Sequence, residues 1–206
     1  MIVEKLETKS NGKNRRYICQ IDGKEYSFSE DVILEYRLVK GKKINQDILN
    51  EAIKKNNLSS YYDNALNYAY RYGKNSCEVY DYLLGKGLVN NEIDEIIDKL
   101  KKTKMLDDEK LVKNLASYYA RSGNGKLMIS KKLYERKFND NLIEIGLSSI
   151  DEDEYYSFML KLYQKALLKY KSDNYNDKMK LRRYILQRGY SNSEINYLID
   201  NYVKNN

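Results

Sequence analysis

The chain has 206 residues, with 37 Lys and Arg against 30 Asp and Glu, giving a formal charge of +7 and a pI near 9.0. That length supports one domain or two small ones, and 42% hydrophobic beside 33% charged residues fits a soluble chain with much exposed surface. There is no histidine, which excludes Ser-His and Cys-His catalysis and the commonest general base and metal ligand.

From the N-terminus, Met1-Ile2-Val3-Glu4-Lys5 does not read as a signal peptide, no apolar run approaches membrane-spanning length, and the cytoplasm is the expected setting. Ile2–Thr8 and Tyr17–Ile21 read as two strands around an Asn11-Gly12 turn, and Asp22-Gly23 introduces a third, Lys24–Phe28. Alternation puts Tyr17, Cys19 and Ile21 on one face. Helices near Glu30–Leu38 and Gln46–Lys55 are expected to cover it, with Gly41 as a helix stop between them. Neither glycine turn has the form of a phosphate loop. Cys19 and Cys77 form no disulfide framework or zinc cluster and are expected to be reduced, half-buried thiols.

Beyond residue 58 one pattern is written three times. Val79, Leu83, Leu88, Ile93, Ile97 and Leu100 recur fifty residues on as Ile129, Leu133, Phe138, Ile143, Leu147 and Ile150, then fifty-two further as Leu181, Ile185, Tyr190, Ile195, Ile199 and Tyr202. Upstream, Ala65, Leu66 and Tyr68 match Leu115, Ala116 and Tyr118, then Leu167, Leu168 and Tyr170; Arg71 and Gly73 match Arg121 and Gly123. Helical spacing inside a fifty-residue period predicts a stacked helical array. The fold expected is mainly α: three tandem three-helix repeats (59–104, 105–150 and 151–206) forming an elongated curved array, preceded by a small antiparallel β-sheet with helices (1–58).

Each repeat reads as three helices: Tyr61–Tyr72, Cys77–Gly85 and Asn91–Lys102; Asp108–Arg121, Lys126–Lys137 and Asn141–Ile150; Glu152–Lys171, Asp177–Arg188 and Ser193–Val203. Asn75 with Glu78, Asp151 with Glu154 and Ser191 with Glu194 have capping-box spacing. Asp107-Asp108 sits where a helix N-terminus favours carboxylates, and no further oxygen ligands are spaced to make the pair a metal site. Most of the 22 tyrosines read as core-edge residues at helical spacing rather than stacking platforms for bases.

The middle repeat runs Leu106-Asp107-Asp108, Ala116, Arg121, Gly125, Ile129, Leu133, Phe138, and the first holds Arg71, Ser76, Glu78, Val79, Leu83, Lys86, Gly87. From about Tyr61 to the C-terminus this resembles the RecX family, bacterial regulators of the RecA recombinase with tandem three-helix repeats and a Leu-Asp-Asp opening in the central one. Lys137 departs from the pattern, standing where the family usually has glycine, so the turn after the middle helix is expected to differ. The third copy lacks the arginine and glycine of the first two and offers Asp173 and Asn174. The resemblance implies a non-enzymatic protein without a cofactor, which lies in the groove of the RecA–single-stranded DNA filament and suppresses ATP hydrolysis and strand exchange. It implies no membrane partner and little or no affinity for DNA alone; a monomer is expected.

Charge placement agrees with an anionic partner. The second repeat carries Arg121, Lys126, Lys131, Lys132, Arg136 and Lys137, and the third Lys178, Lys180, Arg182, Arg183 and Arg188, whereas in the first Lys74 and Lys86 flank Glu78 and Asp81. The candidate contacts are Arg121, Lys126, Lys131, Lys132, Arg136, Lys137, Arg182 and Arg183, with Arg71 and Tyr118 beside them. Two rival readings remain: a direct DNA binder inserting a basic helix into a groove, and an enzyme using acids such as those of 151–154, which as consecutive carboxylates at a helix start face different directions.

Overall fold

A computed structural model describes residues 1–11, 14–170 and 175–203. The N-terminal strands are β1 (Val3–Asn11), β2 (Asn14–Ile21) and β3 (Lys24–Phe28), an antiparallel sheet in the order β1-β2-β3 with Leu6 opposite Cys19 and Cys19 opposite Tyr26. Gly12 of the first turn lies outside the described residues. Period-two alternation decides what is buried: Cys19 and Ile21 are fully covered and Tyr17 partly so. Cys19 is therefore not half-buried, and desolvation pushes its thiol pKa up; Cys77, by contrast, is exposed.

The cover over this sheet is α1 (Glu30–Glu35) with the start of α2 (Gln46–Tyr72), through Val32, Ile33, Leu38, Leu49 and Ala52. Helix α1 stops earlier than its sequence implies. Arg37 takes a left-handed φ of +48° and Leu38 N–H reaches back to Ile33 O at 3.0 Å, closing the helix without glycine. Gly41 is consequently not a helix stop. At φ +86° it turns the chain alongside β1, donating to Val3 O at 2.8 Å.

Helix α2 is a second departure, because the two helices expected over Gln46–Lys55 and Tyr61–Tyr72 are one helix of 27 residues. The stretch Asn56-Asn57-Leu58-Ser59-Ser60 contains weak helix formers but neither glycine nor proline, so continuing costs only tenths of a kcal/mol per residue, against about 3 kcal/mol for a proline. Packing offsets that: α4 (Asn90–Lys102) lies along α2, with Lys99 Nζ 4.6 Å from the Tyr62 ring centre and Lys54 Nζ 3.7 Å from Glu92.

Between α2 and α4 comes α3 (Ser76–Leu84), and after them α5 (Asp108–Arg121), α6 (Lys126–Glu135), α7 (Asp140–Ser148), α8 (Glu152–Tyr170), α9 (Tyr175–Gln187) and α10 (Asn192–Leu198), which runs into a π-helical turn, Ile199–Val203. The chain is mainly helical with one small sheet, and it divides into two units: Met1–Tyr72 with Tyr82–Lys102, and Gly73–Asp81 with Thr103–Asn206. Asp173 and Asn174 lie outside the described residues, as does the side chain of Tyr202.

Most of the repeated apolar residues are buried, although Leu147 and Ile199 are only partly so. Val79, Leu83, Leu88 and Ile93, then Ile129, Leu133, Phe138 and Ile143, then Leu181, Ile185, Tyr190 and Ile195 are all 8% exposed or less. In the second unit one core joins α5 to α10, each fully buried Leu or Ile contributing about 1.5–3 kcal/mol. The first-helix register needs correcting by about one residue. The buried positions are Ala65, Ala116 and Ala166, not Ala65, Leu115 and Leu167, and Leu168 is 83% exposed. Helix packing selected small volume there, which a hydrophobicity match does not see.

Candidate functional site

The middle helices of the repeats stop in the same way, and the starts of α3 and α6 are held at equivalent places. Each stop is a left-handed residue, Gly87, Lys137 and Gly189, with φ +88°, +63° and +87°. Lys137 adopts the conformation the glycines hold, so the expected difference in this turn is absent. Phe138 N–H donates to Leu133 O at 3.2 Å, as Leu88 N–H does to Leu83 O at 3.4 Å.

The starts of α3 and α6 are completed by the following repeat. At α3, Asn75 and Glu78 form a reciprocal capping box at 2.8 and 3.0 Å, while Asp108 accepts from Ser76 N–H at 2.8 Å and Asn75 Nδ2 donates to Arg136 O at 2.6 Å. At α6, fifty residues on, Gly125 N–H donates to Arg188 O at 2.8 Å, Leu127 N–H to Gly189 O at 3.1 Å and Lys126 N–H to the Tyr155 hydroxyl at 3.0 Å. Arg136 O and Arg188 O are equivalent atoms in successive repeats, so the second unit uses one joint twice. In the second instance the partners are backbone, and a Cβ on Gly125 would lie 2.3 Å from Gly189 C. The Leu106-Asp107-Asp108 opening is accounted for in full: Leu106 is buried, Asp107 caps its own helix through Lys110 N–H at 2.9 Å, and Asp108 caps α3.

These joints absorb several of the candidate contacts. Arg136, its side chain 21% exposed, donates to Gly73 O at 2.5 Å and to Glu78 Oε2 at 2.6 Å. Burial alone would raise the Glu78 pKa, but bonds from Arg136, Lys74 and Asn75 N–H outweigh it and hold the carboxyl below its usual range. Lys137 pairs with Asp81, and Lys126 Nζ with Glu152 at 2.5 Å. Arg182 bonds the Asn192 and Asn196 side chains at 3.0 and 3.1 Å. Tyr155, buried and donating to Glu194 at 2.7 Å, has its ionisation pushed far above the usual tyrosine range, by burial first and by Glu194 next.

The others remain outward. Lys131 comes no closer than 4.0 Å to Glu135, and Arg121 lies 4.0 Å from Glu154 with 64% of its side chain exposed. Arg183 is exposed and has no ion pair among the described residues. Lys132 sits 5.3 Å from the Tyr119 ring centre, and Tyr118 is 63% exposed on α5. These residues share the second unit, whereas Arg71 is exposed at the end of α2 in the first. The sequence reading missed the apolar residues beside these cations: Leu127 and Tyr134 are 65% and 69% exposed, Met179 and Leu186 43% and 37%. Their spacing of seven within each helix was the signal available.

Among the described residues no group of three or more His, Cys, Asp or Glu side chains could hold a metal ion, and no helix is long and apolar enough to cross a membrane. In the first unit a groove of about 350 Å³ between α2 and α4 is lined by Ile53, Lys54, Leu58, Tyr61, Leu88 and Glu92, with Lys54 and Glu92 paired at 3.7 Å.

A family profile described as RecX, third three-helix domain, matches residues 152–199. A Streptococcus mutans serotype c protein named Regulatory protein RecX is 32% identical over 205 residues, covering 97% of this chain and 78% of that one. A Streptococcus uberis protein of the same name is 31% identical over 201 residues, covering 93% and 73%. Among solved structures, one titled regulatory protein RecX superposes with a TM-score of 0.78 at 18% identity, covering 97% of this chain and 98% of that one; it speaks for the fold alone. RecX from Lactobacillus salivarius superposes at 0.61 with 28% identity over 69% of this chain and 94% of the other.

Proposed function

The chain belongs to the RecX family of regulatory proteins, and from that premise we propose that it binds in the groove of the RecA–single-stranded DNA filament and suppresses ATP hydrolysis and strand exchange. The observation carrying this reading is the division of the cations in the second unit. Arg136, Lys137, Lys126 and Arg182 are used by the fold, while Arg121 and Lys131 are exposed and only loosely paired, each 4.0 Å from a carboxylate, and Arg183 has no ion pair among the described residues. Unspent positive charge on a chain of net +7 suits an anionic filament. The three repeats would touch several protomers at once and gain affinity by multivalency rather than through one strong site. No catalytic step is part of this proposal.

Equilibrium binding to fluorescent single-stranded DNA tests it, naked and then coated with the cognate recombinase and a non-hydrolysable ATP analogue, across a salt series. Tight binding only to the coated strand, with falling ATPase under hydrolysable ATP, is expected. Equal or stronger binding to naked DNA with ATPase untouched would replace this reading by plain DNA binding. The triple variant Arg121→Glu, Lys131→Glu, Arg183→Glu should lose filament binding with helicity intact, and retained binding would remove these residues from the site.

A further inference from the structure

The outward faces of α6 and α9 carry a pattern that neither the core nor the joints use. On α6, Leu127, Lys131 and Tyr134 follow an i, i+4, i+7 spacing and lie on one face, opposite the buried Ile129 and Leu133. On α9 the residues fifty-two positions later are Met179, Arg183 and Leu186, opposite the buried Leu181 and Ile185. An amphipathic helix should be polar on that side. Both instead show apolar, cation, apolar, with the apolar members 37–69% exposed. Single exposed apolar residues need no explanation; the same triplet at equivalent positions of two repeats does. The joint also sets the two helices in series, since Leu127 N–H bonds Gly189 O and Gly189 N–H bonds Leu186 O.

We infer that these two stripes dock onto successive protomers of one protein polymer, each offering an apolar patch around a carboxylate. This deepens the filament reading and rests on it. The chemistry favours protein over nucleic acid as the surface contacted. Phosphates would satisfy Lys131 and Arg183 and the Tyr134 ring could stack on a base, but Leu127, Met179 and Leu186 have no π-face, and three exposed aliphatic side chains beside two cations are better matched by a protein surface. An acidic, apolar-ringed patch satisfies all three members of each stripe. Recurrence at one spacing implies that the partner surface recurs too, which a polymer provides. In the first repeat the equivalent central residue is Asp81, already paired with Lys137, so that helix is not part of the docking surface.

The test compares three forms: wild type, Leu127→Ser with Tyr134→Ser, and Met179→Ser with Leu186→Ser. All four positions are exposed, so unchanged helicity is expected and circular dichroism checks it. Binding is read on recombinase-coated fluorescent DNA and on naked DNA of the same sequence. Each double variant should weaken filament binding by about tenfold or more while leaving affinity for naked DNA unchanged. Double variants that bind the filament like wild type, while the charge-reversal triple does not, would overturn the stripes and leave the filament reading standing. Weaker binding to naked DNA by the serine variants would reassign the stripes to nucleic acid. A wild-type chain that does not bind the coated strand would overturn both proposals.

Discussion

Replacing Gly125 with alanine isolates the closeness of the joint between the second and third repeats. Gly125 has φ −76° and ψ 163°, a conformation alanine adopts freely, so the substitution acts through the added carbon. That Cβ would lie 2.3 Å from Gly189 C and O and 2.4 Å from Tyr190 N, all backbone atoms with no rotamer to yield. Carbon contacts need about 3.5 Å, so the joint must open by about 1 Å. The bonds from Gly125 N–H to Arg188 O and from Leu127 N–H to Gly189 O, at 2.8 and 3.1 Å, would then pass out of range. Two bonds at about 1 kcal/mol each, with about 1–3 kcal/mol of overpacking strain, give a loss of about 3–5 kcal/mol. Gly123→Ala is the control within the same unit. Its φ is +76° but its Cβ would meet only the Leu162 side chain at 3.6 Å, so about 1–2 kcal/mol of left-handed backbone strain is the whole effect. Urea unfolding with unchanged m-values measures both, and hydrogen exchange at the Leu127 amide localises the loss. If Gly125→Ala proves no more destabilising than Gly123→Ala, the direct backbone contact between these repeats is refuted.

Arg136→Ala should destabilise the second unit by about 2–4 kcal/mol, because it removes the guanidinium from the Glu78 carboxylate, 16% exposed and left with Lys74 and Asn75 N–H, and takes this donor from the Gly73 carbonyl; Arg183→Ala should stay within about 0.5 kcal/mol, and equal losses in urea unfolding would contradict the assignment of Arg136 to the fold. The Glu78 carboxyl titrates below its ordinary 4.5 in the folded chain, so its contribution is present above that pH and is lost as pH falls through the lowered folded value. Glu78→Gln should accordingly be less stable than wild type at neutral pH, with the gap closing below about pH 4.5; a gap that is constant between pH 7 and pH 3 would show that the carboxylate's charge is not what stabilises the joint.

What was legible in the sequence was whatever repeated or followed local rules. The apolar register of the middle helices placed buried residues in all three copies, because period and burial are two views of one helix face; in the last helices it was looser, since Leu147 and Ile199 are only partly buried and Leu198 is the buried neighbour. Capping spacing found the starts of α3 and α10. Non-local effects were not legible. Nothing near Asn56–Ser60 announces that α4 packs along α2 and keeps it helical. Nothing near Arg136 announces a carboxylate fifty-eight residues upstream, so a residue that reads as a surface cation is a strut of the joint. Lys137 shows the limit of composition rules, since its turn keeps the conformation expected of glycine while its amine pairs with Asp81.

The joint also has a temporal side. The amides of Gly125, Lys126 and Leu127 close onto Arg188, Tyr155 and Gly189, all made later in synthesis. At about 5–20 residues per second, a ribosome delivers Gly189 about 3–12 s after Leu127. Until then the first turn of α6 is open, and a nascent chain interrupted between Ser149 and Arg188 holds a second repeat that is fully translated but unfinished. Folding of this unit therefore completes backwards against the direction of translation, with the last repeat made supplying the missing bonds of the one before it.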